Sequence, residues 1–167
     1  MLSTASADAI WERVRNAHDP FHPGTVQRST RTQLFRLGLS RAKAKTLLHL
    51  AGEIHAERLD LESLRELDAD EAHRILTSLP GVGPWTADVY LLFCLGHSDA
   101  WPAGDVALQT GVQLGLALEA RPTSKQMIAL AEPWRPLRGA AAHLWWAYYR
   151  VTRRRANAPQ KAPPVSA

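Results

Sequence analysis

Two features of this 167-residue chain bring together residue types that could do chemistry. The first is the run Leu79-Pro80-Gly81-Val82-Gly83-Pro84-Trp85-Thr86-Ala87, where an apolar helical segment meets a Pro/Gly turn and a second helix starts at once with proline in its first turn. Such a hairpin presents backbone N–H groups outward. Glycines at 81 and 83 remove the side chains that would hold a phosphate at a distance. The N–H groups that open the next helix, around Trp85 and Thr86, add donors and the positive end of a dipole. The second feature is Asp105, about twenty residues further on, where another helix begins. Read singly, the hairpin is also a tight helix–helix turn and Asp105 an ordinary helix cap.

The elements that must position these residues are helical. Ala5, Ala9, Ile10, Val14 and Ala17 recur at near-helical spacing and predict a helix over 3–18. Pro20, Pro23 and Gly24 break the pattern, which predicts a loop to about Thr32 and a short helix near Thr32–Leu37. Ser40 caps a helix with Ala44, Leu47, Leu48, Ala51 and Ile54 on one face. Asp60 caps a short turn, and Asp68 opens the helix that ends at Pro80. Helix formation resumes at Pro84 and runs to Gly96, restarts from Asp105 to about Glu119, again after Thr123 or Ser124, and finally over about 137–151. No stretch alternates as a strand, so the expected class is all-α, with a core over 1–151. Residues 152–167, with three prolines and three consecutive arginines, are expected to be a disordered basic tail.

Composition excludes several classes. A single cysteine, Cys94, rules out a disulfide framework and a four-cysteine metal site, and fits a reducing, cytoplasmic location. No apolar run approaches the ~18–20 residues of a membrane span, and no signal peptide is recognisable. Of the twenty basic residues, five fall from Arg150 onward with no acid among them, leaving fifteen against all sixteen acids. The net charge of +4 is therefore weak ground for a nucleic-acid partner. The interval between Asp19 and Glu53 is more informative: it holds Arg28, Arg31, Arg36, Arg41, Lys43 and Lys45 and no acid. Arg41, Lys43 and Lys45 open a helix, where positive charge opposes the dipole unless an anion is present.

Taken together, the run Leu76–Ala87 and the run Asp99-Ala100-Trp101-Pro102-Ala103-Gly104-Asp105 closely resemble the helix-hairpin-helix DNA glycosylases, in particular the 3-methyladenine DNA glycosylase II branch. Gly38-Leu39-Ser40-Arg41-Ala42-Lys43-Ala44 resembles that branch's preceding helix start, and Trp134-Arg135-Pro136-Leu137-Arg138 with His143-Leu144-Trp145 its last helix. The resemblance covers roughly residues 2–150 and implies a helical bundle around a central helix-hairpin-helix at about 68–96, with no β domain.

It implies a monofunctional enzyme of base-excision repair that flips an alkylated purine of the 3-methyladenine type out of damaged double-stranded DNA and hydrolyses its N-glycosidic bond. Asp105 matches the family's catalytic aspartate, a carboxylate that stabilises positive charge building on the sugar. Gly81, Val82, Gly83, Trp85 and Thr86 would bind the DNA backbone, and Trp85 and Trp145 would line the base pocket by cation–π stacking. Trp146, Tyr148 and Tyr149 could equally be core, and Asp99 matches a structural position. No cofactor is required. The resemblance leaves room for a monovalent cation, Na+ or K+, on the backbone carbonyls of Thr77, Leu79 and Gly81, whereas the lone cysteine excludes the iron–sulfur cluster of some relatives. Strand-nicking relatives carry a Schiff-base lysine at the position of Trp85, and this chain has no lysine between Lys45 and Lys125. A monomer is the family expectation. Leu2-Ser3-Thr4 resembles the middle of a family segment, and Met1 stands where its second glutamine or the wedge loop belongs, so the chain reads as a core cut at its wedge. The alternative is a truncated, non-catalytic helix-hairpin-helix DNA-binding module.

Overall fold

The computed structural model describes residues 4–156, and among the described residues every regular element is helical, as the sequence pattern predicts. The chain divides between Ala87 and Asp88 into two compact units.

The first unit holds α1 (Thr4–Asn16), α2 (Pro23–Gln27), α3 (Arg31–Arg36), α4 (Arg41–His55), a 3-10 turn (Ser63–Glu66), α5 (Ala69–Ser78) and the first turn of α6 (Pro84–Phe93). Helix α4 is its axis, because α2 and α3 both pack on it. Its small residues Ala44 and Ala51 are buried, as are Val26 of α2 and Leu34 of α3. The expected caps form: the Ser40 hydroxyl accepts from the Lys43 N–H, and the Asp68 carboxylate accepts from the N–H groups of Asp70 and Glu71 at 3.0 Å each. Asp60 accepts from the N–H groups of Glu62 and Ser63, setting up the 3-10 turn.

One expectation fails here. The predicted loop before Thr32 contains α2, because Pro23 occupies the first helical position, where its missing N–H costs nothing, and the His22 ring accepts from the Gly24 N–H at 3.1 Å. The Thr25 side chain completes a capping box with His22.

The second unit holds the rest of α6, α7 (Val106–Gly115), α8 (Ser124–Ala131), a 3-10 turn (Glu132–Trp134) and α9 (Arg138–Ala156). Helices α7 and α9 form its main pair. Their close approach depends on two glycines one turn apart: a Cβ at Gly111 would lie 2.6 Å from the Trp145 carbonyl oxygen, and one at Gly115 would enter the Trp145 ring. Helix α7 stops at Gly115, short of the expected Glu119, and Ala117 takes a left-handed φ of 50° just beyond it. Helix α9 runs the other way, past the expected end at Val151 to Ala156. The Thr152 hydroxyl donates to the Tyr148 carbonyl and Arg153 donates to the Tyr149 hydroxyl, while Arg153, Arg154 and Arg155 in the last turn suit the negative end of the helix dipole. The rest of the expected tail, 157–167, lies outside the described residues.

Candidate active site

Asp105 is the N-cap of α7, with extended backbone at φ −76° and ψ 120°. Its Oδ1 accepts two hydrogen bonds, from the Leu108 N–H at 2.8 Å and from the Trp146 indole Nε1–H at 2.9 Å. The first is the ordinary cap bond; the second is not needed for capping and comes from 41 residues away on α9. The residue is half-buried, so the carboxylate is anchored but still reachable.

The loop that delivers Asp105 is held at both ends by the same helix. Asp99 is buried and forms a two-pronged pair with Arg138, Nε to Oδ1 and Nη2 to Oδ2 at 2.8 Å each. The Arg138 N–H and the Arg135 guanidinium add bonds at 3.2 and 3.1 Å. Burial alone would raise the Asp99 carboxyl, but the hydrogen bonds and charge of Arg138, with Arg135 beyond it, outweigh that and hold it below the usual carboxylate range. Eight residues after Arg138, Trp146 reaches Asp105. Between these points the loop is braced by the Trp101 indole on the Met127 carbonyl at 3.0 Å and the Gln109 amide on the Ala103 carbonyl at 2.8 Å. Both acceptors are backbone oxygens of buried residues, so the loop is fixed from beneath.

The two adjacent tryptophans of α9 meet different neighbours. Trp145, predicted as a pocket residue, packs over Gly115 with ring centroids 5.8 Å from Trp134 and 6.1 Å from Tyr148, and Trp134 in turn meets Trp101 at 5.4 Å. Of these rings Trp101 is buried, Trp134 and Trp145 are half-buried and Tyr148 is exposed. Trp146 takes the place beside the carboxylate, since consecutive helical residues point about 100° apart. Its ring is tilted against Phe93 at 5.6 Å and meets the edge of His143 at 5.9 Å, and Phe93 is 57% exposed. An open aromatic surface therefore borders Asp105. The aromatic crowding of residues 145–149 was the only sequence signal for Trp146, and it did not say which ring faces the aspartate.

The hairpin belongs to the unit that ends at Ala87, as does Trp85, which is 50% exposed in the first turn of α6. Leu79 closes α5, and its carbonyl accepts from the Val82 N–H at 3.1 Å, so the Val82 amide is used within the turn. Gly81 has φ +87°, a left-handed conformation, and a Cβ there would collide with the Thr46 hydroxyl of α4. Gly83 differs: nothing lies within 4 Å of where its Cβ would be. Its bare backbone serves no internal packing and leaves space on the outer side of the turn. His73 of α5 hydrogen-bonds the Pro84 backbone; burial lowers its pKa, with the charge of Asp70 opposing.

No protein-family model matches the chain. Known proteins nevertheless do. A DNA-3-methyladenine glycosylase of Bacillus subtilis is 26% identical over 121 residues, 72% of this chain and 40% of that protein. A probable bifunctional transcriptional activator/DNA repair enzyme AlkA of Mycobacterium tuberculosis is 35% identical over 111 residues, 65% of this chain and 21% of that protein. The crystal structure of a DNA-3-methyladenine glycosidase from Bacillus halodurans superposes with a TM-score of 0.80 at 28% identity, covering 92% of this chain and 71% of that one. The architecture is that of solved 3-methyladenine DNA glycosylases. In sequence the chain is similar to DNA-3-methyladenine glycosylases, and it spans about 40% of the length of the first Bacillus relative.

Proposed function

We propose that this chain carries the catalytic core of a monofunctional DNA glycosylase that removes alkylated purines from damaged double-stranded DNA. The observation that carries the reading is the Asp105 carboxylate, half-buried yet held by two N–H donors at the start of α7. When the N-glycosidic bond of a flipped nucleotide breaks, positive charge builds on the sugar as the base departs. A fixed carboxylate beside the anomeric carbon stabilises that charge with little reorganisation, and it can orient the water that attacks there. An alkylated purine already carries positive charge, so the exposed ring of Phe93, which packs against Trp146, suits it by cation–π attraction of roughly 0.5–2 kcal/mol.

The hairpin supplies grip. The amides at Gly81, Gly83, Trp85 and Thr86, with the dipole of α6, are suited to a backbone phosphate, which is read without regard to sequence. The Thr77, Leu79 and Gly81 carbonyls are our assignment for a bound Na+ or K+; the Leu79 oxygen also accepts from Val82, and a carbonyl has a second lone pair to offer. Action as a monomer in the cytoplasm completes the reading. No helix among the described residues is long and apolar enough to cross a membrane.

The test is release of 3-methyladenine from alkylated duplex DNA by the wild type and by Asp105→Asn. Asparagine caps helices as well as aspartate does, so the fold is kept while the charge is lost. We expect the variant to release base at least about a hundredfold more slowly. Equal release by both removes Asp105 from the mechanism; duplex binding without release by either favours a non-catalytic DNA-binding module.

A further inference from the structure

Along α4 the cations Arg41 and Lys45 stand one turn apart, with His49 a further turn on, and Arg31 faces them from α3. Two adjoining cavities run beside this stripe. One, of about 420 Å³, is lined by Arg31, Phe35, Arg41 and Lys45. The other, of about 500 Å³, shares Arg31 and Lys45 and continues past Thr46 and His49 to Pro80 and Gly81 of the hairpin turn. The groove thus begins at the N-terminus of α4 and ends at the hairpin. Both cavities lie within the first unit.

No acidic side chain lines either cavity. Among the described residues neither Arg31, Arg41 nor Lys45 enters an ion pair, whereas Arg58, Arg65 and Arg74 elsewhere in this unit each bind a glutamate. The arrangement is internally unfavourable. Like charges at i and i+4 repel by a few tenths of a kcal/mol, and Arg41 in the first turn of α4 opposes the helix dipole by about as much again. Glu53, the nearest acid further along α4, is itself engaged by Arg58 at 2.8 Å.

We propose that this groove is a second track for the DNA backbone, continuing from the phosphate held at the hairpin. From Arg41 to His49 the stripe is about 12 Å long at 1.5 Å per residue. Its side chains recur about every 6 Å, four residues at a time, so the stripe is long enough for two to three successive phosphates of one strand. The track contains cations, an aromatic edge and no array of fixed base-reading donors, so it holds the backbone irrespective of sequence and damage. It rests on the reading of the chain as a DNA enzyme.

The experiment is the salt dependence of binding to an undamaged duplex, which does not involve base release. The triple variant Arg31→Gln/Arg41→Gln/Lys45→Gln is compared with the wild type and with a charge-matched control, Arg58→Gln/Arg65→Gln/Arg74→Gln. Each lost phosphate contact lowers the slope of log K against log salt by about 0.9, so the groove variant should lose about 2–3 from the slope. The control should keep the wild-type slope. The three groove substitutions made singly, each expected to lose about one, carry the result if the triple variant unfolds. A wild-type slope in the groove variant, or an equal loss in the control, overturns the inference alone. A slope lowered on duplex RNA but not on DNA also overturns it. Wild-type protein with no duplex affinity overturns the functional reading, and this inference with it.

Discussion

In the proposed reaction Trp146 is a positioning residue, because its indole donates to the Asp105 carboxylate. Replacing it with phenylalanine keeps an aromatic ring against Phe93 and removes only the donor. A hydrogen bond to a charged group contributes about 1.5–3 kcal/mol, so Trp146→Phe should lower kcat for base release by roughly tenfold or more. KM should stay near the wild-type value, because duplex affinity does not depend on that bond. A change in KM with kcat intact would give the indole a different role. Which of Trp145 and Trp146 meets Asp105 is not legible in the sequence, since both lie in one aromatic run and only the packing of α9 on α7 decides it. Asp99 illustrates the same limit. Its partners are 36 and 39 residues away, and nothing in the local pattern announces them. Asp99→Asn leaves the Arg138 guanidinium, 4% exposed, without its counter-charge, and should cost about 3–5 kcal/mol of stability. The sign with pH follows from the lowered pKa. The folded value lies below the unfolded value of about 3.9, so the contribution is complete above about pH 5 and is lost as pH falls through the folded value. Denaturant midpoints from pH 7 to 3 should fall steeply for the wild type and less steeply for Asp99→Asn.

At the scale of elements the hairpin contains two glycines with opposite reasons for being there. Gly81→Ala forces a side chain into a left-handed φ and against Thr46, and should destabilise the protein by about 1–3 kcal/mol. Gly83→Ala meets open space and should change stability by less than about 0.5 kcal/mol. Its methyl group would stand where a phosphate is expected to approach, so duplex affinity should fall several-fold. Thermal unfolding and duplex titration of the two variants separate these effects. If Gly83→Ala binds duplex like the wild type, the outer face of the turn is not the phosphate site. The helices themselves were largely legible, because Ser40, Asp68 and Thr123 cap the elements they precede and a cap is a local signal. The misses occur where one residue type has two local meanings. Pro23 breaks the pattern of α1 yet is the first residue of α2, and the Arg153–Arg155 run has the composition of a tail yet forms the last turn of α9.

Across the whole molecule, the hairpin lies in the compact unit that ends at Ala87 and Asp105 in the one that begins at Asp88. Their pairing rests on the resemblance in sequence, and this chain covers less than half of the first Bacillus relative. The reaction's outcome is instead constrained by a residue type distributed over the chain. A Schiff-base route to strand cleavage needs a lysine amine at the sugar, and no lysine occurs from Thr46 to Ser124, an interval that includes the hairpin, Trp85 and Asp105. Water is therefore the expected nucleophile and an intact strand bearing an abasic site the expected product. Incubation with alkylated duplex in the presence of borohydride should trap no covalent protein–DNA complex, and strand breaks should form only after alkali or heat. A borohydride-trapped complex would mean that an amine elsewhere in the chain reaches the sugar, and the hydrolytic assignment of Asp105 would then have to give way to a lyase mechanism.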